Sequence, residues 1–291
     1  MKRVCFCLVA ALAGFLLYQF CEKETAGFSV AKIAPAANEQ GKENLPEGVA
    51  KILEQKFHYF AKGGQAFVFL SEDGKYVLKF LRRRFCPEFL LSFPLPKFLK
   101  LAIEKKRAYV QKKWKRDAKS YELARDELSS ETGLLWLHLN RSSQDRAVEI
   151  SDKLNIVHKL NLDQHAFLLQ KRAEPILTHL EWQIRQKKID EAKKTLDQMI
   201  ALVLLRLDKQ IVDEDLHLDK NLGFLEGKPV FIDIGRLKKE ERAKNPQEAR
   251  LYLSSLFARL KKWLGEQDPD LANYLTKMIQ DLPDPTDLDI K

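Results

Sequence analysis

Strand-forming segments in this chain are gathered before Lys171, and the chain beyond Pro175 reads as helix with one hairpin set into it. Elements ordered in this way segregate into separate layers, so the order points to an α+β fold of two lobes and away from an alternating α/β sheet. Phe57 to Phe60 reads as a strand, Ala61 to Gln65 as a Gly-containing loop, and Ala66 to Leu70 as a second strand. An Asp73-Gly74 turn then leads to a third strand, Tyr76 to Leu81, which completes an antiparallel meander. Pro94 and Pro96 separate this meander from a helical pattern between about Leu99 and His138, with Tyr121, Ala124, Leu128 and Leu135 along one face. Leu154 to Leu162 and Ala166 to Lys171 bring the expected antiparallel sheet to five strands. Helices come next at Leu177 to Arg185, at Ile189 to Lys209 and twice after Asn245, interrupted by the hairpin Asn221 to Glu226 and Pro229 to Ile234 across Gly227-Lys228.

The N-terminus has a different character. Lys2 and Arg3 precede an apolar run from Val4 to Phe20, the n-region and h-region order of a signal peptide or signal anchor. No good small-x-small cleavage site comes after it, which favours an uncleaved single-pass anchor over a secreted product, and Tyr18 and Phe20 suit a membrane interface. The basic residues before the run favour an N-terminus on the inside and a translocated folded part, and orientation stays open. Residues 28–50 carry no sustained period and read as a linker. The expected division is therefore an anchor over 1–27, a linker over 28–50, a first lobe over 51–174 and a second over 175–291.

With 45% hydrophobic residues and only 12 Gly and 11 Pro, the chain can bury a core, which excludes disorder and collagen-like repeats. Three of the four cysteines, Cys5, Cys7 and Cys21, fall in or beside the apolar run and leave Cys86 alone, so neither a disulfide framework nor a zinc site is expected. The net charge of +9 is concentrated: residues 79–125 hold fifteen Lys/Arg against four Asp/Glu. Such a stretch is either the solvated side of a helix or a surface for phosphates, nucleic acid or anionic lipid.

Two constellations carry chemistry. In the first, Gly63 and Gly64 sit in a loop whose backbone N–H groups could approach phosphate oxygens, and Val77-Leu78-Lys79 places an ammonium two strands later. Glu131 on the long helix is the expected partner of Lys79, with Glu127 one turn earlier as the substitute. In the second, Asp213, Asp215 and Asn221 precede Phe231-Ile232-Asp233-Ile234-Gly235. A carboxylate near an attacking hydroxyl, and an Asn and an Asp at one end of a hairpin to hold Mg²⁺, are what phosphoryl transfer asks of a protein.

This ordered set resembles the protein-kinase-like superfamily over about residues 55–291. The resemblance implies a two-lobed kinase-like fold, with a five-stranded antiparallel sheet and long helix in the first lobe and a helical second lobe bearing one hairpin. It implies that Gly63, Gly64 and Lys79 meet ATP phosphates, that Glu131 pairs with Lys79, and that Asn221 and Asp233 hold Mg²⁺. It also implies that Gln170 to Glu174 face the adenine and that Lys79 and Asp233 converge on the same phosphates. Asp215 would be the catalytic aspartate, and Asp213 competes for that role because the Asp215-to-Asn221 spacing is one residue longer than the family's. The implied activity is phosphoryl transfer from ATP to a protein or small-molecule hydroxyl. The alternatives are a catalytically inactive kinase-like binding or scaffold protein, and a membrane-tethered interaction protein using the basic region on an anionic surface.

Overall fold

The computed structural model of the protein describes residues 2–40, 45–241 and 246–282. The fold is mixed α+β and divides into two compact units. Residues 1–110 and 136–170 make the first unit, and residues 111–135 and 171–291 the second. The described elements run α1 (Lys2–Glu24), β1 (Ala37–Gln40), α2 (Glu47–Leu53), β2 (Phe57–Lys62), β3 (Ala66–Ser71), β4 (Tyr76–Leu81), α3 (Lys97–Glu127), α4 (Ser129–Thr132) and β5 (Leu134–His138). They continue with β6 (Asn140–Arg141), β7 (Ala147–Ser151), β8 (Val157–Asn161), β9 (Phe167–Lys171), β10 (Glu174–Pro175), α5 (Ile176–Arg185), α6 (Ile189–Asp208) and β11 (Ile211–Asp213). Then come α7 (Leu218–Asn221), β12 (Leu222–Leu225), β13 (Lys228–Phe231), β14 (Leu237–Lys239), α8 (Pro246–Gln267) and α9 (Pro269–Gln280).

The first unit is built on a seven-stranded sheet in the order β5-β9-β4-β3-β2-β7-β8. The meander β2-β3-β4 forms as expected, with Val68 opposite Lys79. The sheet corrects the five-stranded antiparallel expectation in two ways. It has two additional strands, β5 and β7, and β7 lies parallel to β2. Inside it the side chains of Phe57, Phe67, Phe69, Phe80 and Phe167 are fully buried, each worth about 2–3 kcal/mol of transfer free energy.

The helix expected to reach His138 stops at Glu127. Gly133 has φ +61°, and a Cβ there would lie 3.1 Å from Leu225 Cδ2, so the chain leaves the helix at a position that favours glycine and re-enters as β5. The strand expected from Leu154 begins only at Val157. Asp152 Oδ1 accepts the N–H of Leu154 at 2.9 Å and of Ile156 at 3.0 Å, and Asn155 takes φ +61°, so residues 152–156 are a turn.

The stretch 28–50, expected to be a linker, is largely part of the first unit. Phe28 is buried, edge-on to Phe67 and Phe69 with centroids 5.1 and 5.4 Å away. Backbone bonds then bind the segment to four different partners: Ala34 N–H to Leu81 O at 2.7 Å, Ala166 N–H to Ala34 O at 2.9 Å, Ala36 N–H to Gln164 O at 2.9 Å, and Ala37 N–H to Leu139 O at 2.7 Å. Residues 41–44 lie outside the described residues.

Helix α1 contains the apolar run. Its side chains from Leu12 onward are described, and Leu12, Phe15, Leu16, Leu17, Tyr18 and Phe20 are all more than half exposed. The side chains of residues 4–11 lie outside the described residues. Among the described residues no helix is long and apolar enough to cross a membrane.

In the second unit the expected helices fall close to their predicted bounds. The hairpin β12-β13 turns at Glu226 and Gly227, both with positive φ, as a two-residue hairpin turn requires. Two pairings lie outside the expectations: β10 adds to β12, and β11 pairs antiparallel with β14.

Candidate functional site

The second unit gathers four of the expected site residues. Leu222 faces Phe231 across the hairpin, and just beyond this pair Asn221 O accepts the N–H of Ile232 at 2.8 Å and of Asp233 at 3.5 Å. Asn221 and Asp233 are therefore neighbours by backbone pairing. Asp233 is exposed, and its Oδ1 accepts the Gly235 N–H at 3.2 Å. Behind this turn, Ser120 of α3 is fully buried. Its hydroxyl donates to Ile234 O and accepts the Leu237 N–H, both at 2.6 Å. One hydroxyl thus fixes the chain on the far side of Asp233.

Asp213 ends β11 and is almost wholly buried. Its Oδ1 accepts the Asp215 N–H at 2.8 Å, and its Oδ2 lies 3.7 Å from Nη1 of Arg206. Burial, only partly offset by Arg206, pushes the Asp213 carboxyl up to about 6, and the charges of Asp233 and Asp215 add to the rise. The three carboxylates are thus within electrostatic reach of one another.

Arg206 is completely buried, although it carries a charge. Its guanidinium lies 4.6 Å from the Phe231 ring centroid, and Nη2 donates to the Tyr252 hydroxyl at 2.7 Å. That hydroxyl also accepts the Asp213 N–H at 2.9 Å and donates to Asp213 O at 3.1 Å. Tyr252 therefore uses its one donor and one acceptor position to pin β11 to α8, and its second acceptor position to tie in Arg206 of α6. Arg206, Tyr252 and Ser120 carry no motif. The available signal was that Leu196, Met199, Ile200, Val203 and Leu207 mark the buried face of α6, and the same spacing puts Arg206 on it.

Asp215 sits further out. Its Oδ1 accepts the backbone N–H of His217 at 3.2 Å and also contacts His217 Nδ1. The geometry separates the two competing aspartates: Asp213 is a buried scaffold group, whereas Asp215 is partly accessible.

In the first unit, Lys79 lies half-buried on β4, on the face opposite the buried Leu78 and Phe80. Gly63 and Gly64 form the tip of the β2-β3 hairpin, closed by the Gly63 N–H on Ala66 O at 2.9 Å. Arg82, which sequence reasoning passes over, reaches back to this tip. Its Nη1 donates to Gly63 O at 2.8 Å and to Gly64 O at 3.4 Å, and its guanidinium covers the Phe67 ring at 5.2 Å.

Glu131 and Glu127 both belong to the second unit. Glu131 lies on the four-residue α4, not on the long helix, with Oε1 accepting from Ser130 Oγ at 2.8 Å and Oε2 buried without a hydrogen-bond partner. Glu127 is engaged by Lys239 at 2.6 Å. The expected adenine-facing stretch, Gln170 to Glu174, is where the chain passes from the first unit, ending at Gln170, to the second, resuming at Lys171.

Mg²⁺ takes hard oxygen donors, needs only one or two protein carboxylates, and completes its shell with water and substrate phosphates. The Asn221 amide and the Asp233 carboxylate fit that demand. In the same loop Asp219 Oδ1 is buried without a hydrogen-bond partner. Among the described residues no group of three or more His, Cys, Asp and Glu side chains is placed to hold a metal ion by itself.

No protein-family model and no curated protein matches the chain.

Proposed function

We propose that the protein is a membrane-tethered, kinase-like phosphotransferase of two lobes, using ATP and Mg²⁺ on a protein or small-molecule hydroxyl. The observation that carries this reading is the pairing of Asn221 with Asp233 beside a loop in which Asp213 is buried as support and Asp215 is left accessible. In this reading Asn221 and Asp233 would hold Mg²⁺, whose bound form would supply charge neutralisation at the transferred phosphoryl group. Asp215 orients the attacking hydroxyl and takes its proton. Lys79 and the tip formed by Gly63 and Gly64 are assigned to the phosphates. Anchoring through residues 4–20 is supported by the unbroken exposure of large apolar side chains from Leu12 to Phe20 on α1.

A second reading, nucleotide binding without turnover, draws support from the contact of His217 Nδ1 with Asp215 Oδ1, which occupies the carboxylate that the transfer step needs. Thermal shift of the detergent-solubilised full chain with ATP, with and without Mg²⁺, tests the proposal. Asp233→Ala should abolish the Mg²⁺-dependent part of the shift, and Lys79→Ala should reduce the shift. Asp215→Ala should preserve the shift and remove ATP turnover. Binding without turnover in the unmodified chain favours the second reading. An ATP response that ignores both Mg²⁺ and these substitutions ends both.

A further inference from the structure

Residues 82–110 of the first unit carry eight Lys/Arg and two Asp/Glu, and one of the acids, Glu88, is paired with Arg107 at 3.4 Å. Globular surfaces tolerate scattered apolar residues, but here they cluster. Phe85 is 74% exposed, Phe98 70% and Phe89 64%, and Phe93, Leu99, Leu101 and Tyr109 are exposed beside them in sequence. Over the first three turns of α3 the only buried side chain is Ile103, so this stretch of helix does not owe its apolar residues to the core.

We propose that residues 82–110 are an interfacial docking surface for an anionic phospholipid bilayer, with the phenylalanines and leucines entering the headgroup boundary and the lysines and arginines meeting lipid phosphates. Charge complementarity supplies the first argument. Basic residues near an anionic leaflet each contribute about 1 kcal/mol, and a basic surface bearing Phe and Leu is the composition of an interfacial element. Continuity with α1 supplies the second. Lys32 pairs with Glu22 in the last turn of α1, and its backbone oxygen accepts the Arg83 N–H at 2.8 Å. The basic, aromatic segment thus starts one residue's reach from the base of the helix whose apolar side chains are exposed. The aliphatic Leu99 and Leu101 argue against single-stranded nucleic acid, which rewards stacking rings and offers no return for exposed leucine.

The inference stands apart from the phosphotransferase reading, since none of these residues is assigned to nucleotide. It is tested on the full chain by flotation with vesicles of phosphatidylcholine alone or mixed with 30% phosphatidylserine, followed by amide hydrogen exchange on the floated protein. Exchange across residues 84–95, none of which is buried, should slow about tenfold with the anionic vesicles relative to the neutral ones. That protection should vanish in 0.5 M salt and in the Phe89→Ser, Phe98→Ser double variant, while ATP-induced thermal shift stays unchanged. Equal exchange on both vesicle types, absence of flotation, protection that grows with protein concentration in the absence of lipid, or protection given by a single-stranded oligonucleotide in place of vesicles would each overturn the proposal.

Discussion

The glycine tip of the β2-β3 hairpin and the aspartate loop after β11 look alike in sequence, as short loops poised for phosphate chemistry, yet they are held by opposite means. At the tip, Gly63 and Gly64 have no positive φ, and an added Cβ would meet nothing closer than Ala66 O at 3.6 Å. Arg82 steadies the tip from the outside through two carbonyls. The aspartate loop rests instead on a charge taken fully out of water, Arg206, whose cost is offset only in part by Asp213, Tyr252 and the Phe231 ring, since its Nε and Nη1 are buried without a hydrogen bond. A loop held by surface contacts can adapt to what binds it; one built on a buried ion pair keeps its geometry or unfolds.

The sharpest break in that comparison is Arg206→Ala, which leaves Asp213 buried and unpaired. Urea denaturation should show a loss of about 3–5 kcal/mol, and a loss under 1 kcal/mol would mean that the loop does not depend on the pair. Next comes pH. Because the Asp213 carboxyl is raised from its ordinary 3.8 to about 6, the folded protein keeps a proton that the unfolded chain has lost between these values. Its contribution to stability is full below about pH 4, declines toward pH 6 and is gone above it, a change on the order of 3 kcal/mol. Asp213→Asn should flatten that part of the melting-temperature profile, and an unaltered profile would remove Asp213 as its source. Smaller again, Tyr252→Phe should cost about 1–2 kcal/mol by leaving the Asp213 backbone unpaired, measurable in the same denaturation series.

At the other end of the scale, Gly64→Ala should change stability by less than about 0.5 kcal/mol. If it nevertheless weakens the ATP-induced thermal shift, the glycine is present for a ligand and not for the fold. Gly223 supplies the contrast, since a Cβ there would lie 2.6 Å from Ala173 Cβ and 2.9 Å from Ile232 Cγ2. Gly223→Ala should therefore cost about 1–3 kcal/mol with no ligand involved.

The parts of the fold legible in sequence are those governed by a local period. Helix α6 declares its buried face every three or four residues, and β12-β13 declares itself as a hairpin, although its turn falls at Glu226-Gly227, one residue before the expected Gly227-Lys228. Strand β7 also alternates at first, burying Val148 and Ile150 on either side of the exposed Glu149, but Ser151 is buried too and five residues offer too short a sample to stand out. The stretch from Phe28 to Ala37 does not yield to such reading at all. Its backbone bonds go to β4, to β9's approach and to residues 139 and 164, so no single pairing imposes a period of two, and its alanines are small because they pack close. At the site, the aspartates, the asparagine and the order of the elements are visible because they are polar residues next to turns. The residues that set their geometry, Ser120, Arg206 and Tyr252, come from three helices far apart in sequence, and only the fold brings them to one loop.

That close packing of Phe28 to Ala37 has a mechanical consequence. A flexible chain of the same span, residues 28–48, would let the body wander about 25 Å from the end of α1. Here the helix is tied at its end by the Glu22–Lys32 pair, and ten residues beyond Glu24 the Ala34 N–H is bonded to β4, so there is little slack to take up. Whatever grips α1 also fixes the height and tilt of the sheet. A pull on the helix is delivered directly to the strand that carries Lys79.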